Sequence, residues 1–268
     1  MKLFFFFITL NIFALQIDVV VPIHEKDRDR IDALVKNLRE KVVDIGNIYF
    51  ISKEKYSDET IWIDEALFPF SIEDVGNELK VGKHNRCGWY FQQILKFYAP
   101  LIIEDISDFV LIFDADTLIT RPTRFLDEEN RVYLDMEAKK CGLPTYYSHM
   151  GRLFPALKEV DMAVNPVVNH ALFSKEIIED LIAKAEEEHN LPFWKSFLQC
   201  VDMKKYRPCT RGFTVGASEY MIYYHFCMYY HQDKVIPRTI TISNQMLKRY
   251  RKEASDYFDF KTINNVLY

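Results

Sequence analysis

The sequence predicts an α/β protein with a mostly parallel central sheet flanked by helices, and three observations carry that prediction. Five consecutive apolar residues, Phe109-Val110-Leu111-Ile112-Phe113, read as a strand buried on both faces, as in a parallel sheet covered by helices. Strand-like and helix-like stretches alternate from Ile17 onward. The central run then ends abruptly in Asp114-Ala115-Asp116-Thr117, which places two acids at the C-terminal end of a strand, where open α/β sheets bind their ligands.

Taken in order, Ile17 to Ile23 is a first strand, followed by a charged segment whose apolar members Ile31, Leu34, Val35 and Leu38 have helical spacing. Gly46-Asn47 is expected to turn the chain into a short second strand, Ile48 to Ile51, and the stretch from Ile61 to Phe70 to hold a third. A polar loop is expected from Gly76 to Gly88. Trp89, Phe91, Ile94, Leu95, Tyr98 and Leu101 then mark an amphipathic helix from about Gly88, bounded by Pro100. Beyond Asp116 the periodicity loosens through Leu134 to Pro155, as in long loops that cover a site. Order returns at 162–170, before a helix that Ser174 can cap and whose apolar face is Ile177, Ile178, Leu181 and Ile182. A last helix opens at Ser218-Glu219 and runs through aromatic residues to about Tyr230.

A chain of 268 residues, 49% hydrophobic and without a linker or repeat after its first residues, fits one domain of generous size over 17–268. The net charge of −5 and the lack of a basic stripe argue against a nucleic-acid partner. Aromatic residues at 15% suit a carbohydrate-facing surface, and equally a large mixed core. Residues 1–16 hold one lysine and then an apolar run from Leu3 to Leu15. That run has the length of an export-signal core and is short of the ~20 residues of a membrane span. The expected location is the secretory pathway, periplasm or extracellular space if this is a signal, with peripheral membrane association possible, and the cytoplasm otherwise. The five cysteines lack zinc-type spacing; only Cys200 and Cys209 are near enough in sequence to suggest a bridge.

If the backbone stays extended past Phe113, Asp114 and Asp116 project to the same side and their carboxylates converge. Such a pair suits Mg²⁺ or Mn²⁺, hard cations that keep waters and take further ligands from a substrate's phosphates. The plainer alternative is a turn with two solvated acids.

A Val-Val-Val-Pro strand, Gly-Trp-Tyr-Phe-Gln-Gln-Ile-Leu-Lys at 88–96, Phe-Asp-Ala-Asp-Thr at 113–117, Asn169-His170 before Leu172-Phe173, and Ser218-Glu219-Tyr220 before an aromatic helix come in an order that resembles the GT-A glycosyltransferases. Over about residues 17–240 the chain is similar, more narrowly, to GT-A-like proteins of bacteria, algae and large DNA viruses. The resemblance implies a single Rossmann-like GT-A domain and a hexosyltransferase that moves sugar from a nucleotide-sugar donor to a glycan, lipid or protein hydroxyl. It implies a divalent metal on Asp116, with Asp114 nearer the ribose or the metal, and a donor pocket that draws on Arg86, Gln93, Lys96, Asn169 and His170. Arg121 could add a phosphate contact. A third metal ligand from a late histidine is expected; His170, His225 and His231 are all available, and order in the chain favours His231. Glu219 matches the catalytic base of inverting members, and His149 an acceptor-loop residue. The competing readings are a metal-dependent nucleotidyltransferase or phosphohydrolase using the same acids, and a non-catalytic carbohydrate-binding module on a transferase scaffold.

Overall fold

The computed structural model describes residues 15–80, 86–139, 144–157, 163–203, 216–245 and 260–263. The expected export signal therefore falls almost wholly outside the described residues, as do Cys141 and Cys209. Of the remaining cysteines, Cys87, Cys200 and Cys227 are free and buried. Among the described residues no helix is long and apolar enough to cross a membrane.

The main sheet has five strands: β1 (Ile17–Pro22), β2 (Ile45–Ser52), β3 (Ile61–Asp64), β4 (Phe109–Phe113) and β7 (His170–Ser174). Their spatial order is β3-β2-β1-β4-β7; the first three pairings are parallel and β7 runs antiparallel to β4. The α/β class with a mostly parallel sheet is thus what the chain adopts. Every residue of β1 is buried, as is β4 from Val110 onward, which is why neither strand shows alternation.

From β1 the chain passes through α1 (Ile31–Lys41) to β2 and outward to β3. It then returns through α2 (Ile72–Leu79) and α3 (Cys87–Ile102) to β4, on the other side of β1. Connections leave in opposite directions on the two sides of the β1/β4 pair, so a crevice opens outside the C-terminal ends of these strands. The loop at Ile23-His24 and the acids at Asp114 and Asp116 face that crevice. The antiparallel β7 packs α5 (Lys175–His189) behind the sheet, and α6 (Phe193–Gln199) and α7 (Glu219–Tyr230) complete the described helices with α4 (Pro144–Leu153). Two small sheets, β6 (Val132–Met136) with β8 (Val235–Thr239), and β5 (Thr117–Ile119) with β10 (Phe260–Ile263) and β9 (Ile242–Gln245), flank the acidic end.

Several elements differ from the sequence expectation. Gly46 and Asn47 lie inside β2, and the turn is made one step earlier by Asp44, whose φ of 63° is left-handed. Gly46 is needed for a different reason. A Cβ there would come within 2.4 Å of Asp18 Oδ1, the oxygen that accepts a 2.6 Å hydrogen bond from Asn47 N–H. Asp18 is buried at the start of β1 and its other oxygen accepts from Ser107 N–H at 2.8 Å, so this acid is a structural clasp.

The third strand stops at Asp64. The segment after it forms α2, opened by a reciprocal cap in which Ser71 Oγ accepts from Asp74 N–H and the Asp74 carboxylate accepts from Ser71 N–H. Pro100 lies inside the last turn of α3 instead of ending it. The stretch from 134 to 155 is not a run of loops: it contains most of β6 and all of α4. Ser174 precedes α5 without a side-chain cap, and its N–H donates to Tyr223 Oη at 2.8 Å.

Candidate functional site

The segment Asp114–Thr117 leaves the sheet as a turn, closed by a 3.1 Å hydrogen bond from Thr117 N–H to the Asp114 carbonyl. The extended geometry expected for the two acids is therefore absent. They still influence each other: burial first, and then the nearby Asp114 carboxylate, push the Asp116 pKa up to about 6. Asp114 is further fixed by its own N–H, which donates to the Asn169 carbonyl at 3.0 Å. Asn169 stands just before β7 with a left-handed φ of 65°, a conformation that asparagine tolerates better than most residues. Its backbone places the acid.

Below the turn lies a buried charge cluster. Helix α3 carries Tyr90, Gln93 and Lys96 at intervals of three on one face, with Arg86 at its N-cap four residues before Tyr90. Lys96 is 2% exposed. Its ammonium donates to Asp114 Oδ1, to Glu219 Oε1 at 2.5 Å and to Tyr220 Oη at 3.1 Å. Tyr220 Oη in turn donates to Asp114 Oδ1 at 2.9 Å. Burial alone would pull the lysine pKa down, but Asp114 and Glu219 outweigh it and hold it above the ordinary value. For Glu219, burial raises the pKa, Lys96 opposes and Asp114 adds to the rise; the net direction is upward. Glu219 opens α7 behind Ser218, whose hydroxyl caps Met221 N–H at 3.3 Å, so the carboxylate also meets the positive end of the helix dipole.

A second buried group stands beside it. Asp135 on β6 accepts from Arg238 Nε at 2.5 Å and from Arg238 Nη2 at 2.8 Å, and lies 2.8 Å from His170 Nε2. The other ring nitrogen of His170 lies 3.0 Å from the Val168 carbonyl. Burial pushes the Asp135 carboxyl up, yet the hydrogen bonds from His170 and Arg238 prevail and hold it below the usual range. This triad ties β6 and β8 to the start of β7.

Outside the C-terminal ends of β1 and β2 lies a cleft of about 640 Å³, lined by Ile23 and His24 after β1, Lys53 and Tyr56 after β2, and Gly88 and Trp89 at the start of α3. The Arg86 guanidinium sits 5.5 Å from the centre of the Trp89 ring.

The structure thus brings Asp114, Lys96 and Glu219 together, with Asp116 beside them and Gln93 one turn away on α3. It does not bring in the late histidines. His231 follows the last residue of α7, about 18 Å along the helix from Glu219, and bonds Asp180 at 2.9 Å. His225 is buried in mid-helix against Tyr224 and Tyr147. His170 is held by Asp135. His149 is not on a loop: it is buried on α4, 2.8 Å from the Phe197 carbonyl, and burial lowers its pKa to about 4. Arg121 lines a separate hollow of about 240 Å³ with Arg124 and Arg238. Among the described residues no three His, Cys, Asp or Glu side chains form a group that could hold a metal. Sequence reasoning gave no role to Tyr220, Asp135 or Arg238. Tyr220 was within reach, since it stands next to Glu219.

No curated protein matches the chain in sequence. Among solved structures it is similar to mouse xyloside xylosyltransferase 1 in its apo form, at 10% identity and a TM-score of 0.45 over 93% of this chain and 98% of that one. It is also similar to the mannosyltransferase Ktr4p of S. cerevisiae, at 9% identity and a TM-score of 0.44, over 70% of this chain and 62% of that one. A family profile covers nearly the whole described fold, from residue 14 to residue 258, and by that match the chain belongs to the family of unknown function DUF6492.

Proposed function

We propose that this protein is a metal-dependent glycosyltransferase that takes a sugar from a nucleotide-sugar donor and delivers it to a hydroxyl of a glycan, lipid or protein. The observation that carries the reading is the acidic turn at Asp114–Thr117, placed at the switch point of the sheet, with a cleft of about 640 Å³ outside the ends of the neighbouring strands β1 and β2. The order of motifs that resembles the GT-A enzymes supports it.

The residues fit a hard divalent cation. Asp114 has one oxygen engaged by Lys96 and Tyr220, which leaves the other available. Among the described residues, the Asp116 carboxylate receives only a 3.5 Å contact from the Thr117 hydroxyl. Burial first, and the Asp114 carboxylate second, raise its pKa, a condition that a bound cation would relieve. Asp114 and Asp116 would hold Mg²⁺ or Mn²⁺, with phosphate oxygens and water as further ligands. Bound there, the ion would supply Lewis-acid stabilisation of the negative charge on a departing nucleoside diphosphate.

The chain's own residues do the rest. The cleft between His24, Tyr56 and Trp89 offers aromatic faces and a polar rim to the nucleoside. Lys96 holds Asp114 and Glu219 at fixed positions, so the site needs little reorganisation when donor enters. Glu219, whose affinity for a proton is raised, is suited to accept the proton of an attacking hydroxyl.

The test is a thermal-shift panel of nucleoside diphosphates and nucleotide sugars, with and without Mn²⁺. Ligand at 100 times its Kd stabilises the native state by about 2.7 kcal/mol. The reading requires a nucleotide sugar whose stabilising effect depends on the ion, followed by its turnover. It is refuted if no nucleotide or nucleotide sugar raises Tm under either condition.

A further inference from the structure

Among the described residues, the side-chain atoms buried without a hydrogen-bond partner include both amide atoms of Gln93 and, at the start of α4, Thr145 Oγ1. Tyr90 and Gln93 lie on the face of α3 that ends in Lys96, and Lys96 reaches Glu219 and Tyr220 at the start of α7. Trp89 stacks on Tyr146 of α4, with ring centres 6.2 Å apart and planes 25° from parallel. A Cβ on Gly216 would come within 2.5 Å of the Tyr146 ring and 3.4 Å of Thr145 Oγ1, so the backbone leading into α7 presses on the start of α4. The start of α3, the start of α4 and residues 216–220 therefore meet at one junction.

Gln93 is the anomaly there. At 2% exposure its amide is out of water, yet neither its oxygen nor its nitrogen is bonded, while the lysine one turn along is fully paired. A buried amide left unmatched costs free energy, and native proteins keep one only when something else completes it. Every unmatched group at the junction is uncharged, and each can both donate and accept or, as an amide, do both at two atoms. That inventory matches hydroxyl groups, which donate and accept through one oxygen.

We propose that Gln93, one turn from Lys96 on α3, is a specificity-determining residue that hydrogen-bonds a hydroxyl of the transferred sugar. The proposal rests on the glycosyltransferase reading for the identity of the sugar as the donor's. The hydroxyl recognition itself rests on the unmatched amide. A site built to hydrogen-bond a hydroxyl discriminates strongly against the analogue that lacks it, because its own polar groups are then left unpaired.

Two measurements decide it. The first compares the apo proteins. Gln93→Met removes the amide at nearly constant volume, and if the amide awaits a ligand, Tm rises by about 2–8 °C. A fall in Tm would mean that the amide is already satisfied, by an internal water, and would overturn the proposal. The second follows the Gln93 side-chain amide resonance of the ¹⁵N-labelled wild type, assigned by its loss in Gln93→Met. The probes are UDP-glucose, GDP-mannose, the corresponding deoxy analogues, methyl glucoside and methyl mannoside, with UDP and GDP as controls. The expected result is a shift with at least one sugar, none with the nucleotides alone, and a preference of about 10²–10⁴-fold for the parent over one deoxy analogue, lost in Gln93→Met. A resonance that no sugar moves, or that moves equally with the bare nucleotides, overturns the proposal. Sugar binding without turnover would defeat the transferase reading and leave this inference standing.

Discussion

Removing the Lys96 charge should destabilise the protein more than any other single change at the site, and the size follows from what the ammonium holds apart. Asp114 and Glu219 come from β4 and α7, and both approach one nitrogen from which water is excluded. Lys96→Met keeps much of the side chain's bulk and deletes the cation, leaving two carboxylates facing each other in a low-dielectric space. Breaking a buried ion pair by removing one partner costs about 3–5 kcal/mol. For a chain of this size that is a fall in Tm of roughly 6–20 °C.

The pH dependence separates this cause from a simple packing defect. Burial and Asp114 already raise the Glu219 pKa, and Lys96 is the opposing influence that the substitution deletes. A carboxyl with a raised folded-state pKa stabilises the fold below its unfolded value and loses that contribution as pH rises through the folded value. The gap between wild type and Lys96→Met should therefore be widest above neutrality and narrow on acidification. Urea unfolding at pH 8 and pH 5 reads it. Adding Glu219→Gln to Lys96→Met should recover part of the loss, since one of the stranded charges is gone, and a double-mutant cycle gives the coupling. Equal stability of Lys96→Met and wild type at pH 8, or a gap that grows on acidification, refutes the reasoning.

Asp116→Asn should fold and lose Mn²⁺-dependent stabilisation by the nucleoside diphosphate. Because the acid's pKa is raised to about 6, the apo variant should also lose a destabilising contribution that develops between about pH 4 and 6, on the order of 1–2 kcal/mol once solvent screening is counted. Denaturation midpoints across that range check it. Glu219→Gln should lower kcat by about 10²–10⁴-fold with donor affinity nearly unchanged, provided the product anomer read by NMR is inverted. Equal losses in donor affinity would move Glu219 into donor binding. Arg238→Ala strands Asp135 and should cost about 2–4 kcal/mol. Here the sign with pH is opposite. The Asp135 pKa is held down in the folded protein, so the wild-type advantage is present above the unfolded carboxyl value and is lost as pH falls through the folded one.

How much of this was legible in the sequence depended on the distance over which each feature is determined. β1, α3, β4 and α7 declare themselves locally, because each buries a continuous set of apolar or aromatic residues. α2 is shorter, and Gly76 sits inside it; its signal was the Ser71 to Asp74 spacing of a capping box, which outweighs one unfavourable glycine. β6 escaped notice because its partner β8 lies about 100 residues later in the chain. α4 escaped because its buried face is Tyr146, Tyr147, His149, Met150 and Leu153, too polar in name to read as a core stripe. The two acids were found by position, and their geometry was not, since Asp114 is anchored by the Asn169 carbonyl, far along the chain just before β7, and the turn after it is closed by Thr117 N–H.

The same distinction governs the charges at the site. Lys96, Asp114 and Glu219 are separated by 18 and 123 residues from the lysine's point of view, and no spacing rule joins them. What a sequence does show is a lysine on the buried face of an apolar helix, which is stable only if acids meet it. Once they do, each acid has partners: Lys96 and Tyr220 bond Asp114, and Lys96 with the start of α7 meets Glu219, although one cation faces two carboxylates and the Glu219 pKa stays raised. Asp116 stands outside this arrangement. It is partly buried, repelled by its neighbour, and without a close partner among the described residues. With hydrogen-bonded acids below the turn and a poorly partnered acid at its rim, a cationic ligand at Asp116 would relieve a cost the fold leaves in place. An acid kept in that condition at the switch point of the sheet is better explained by binding than by stability.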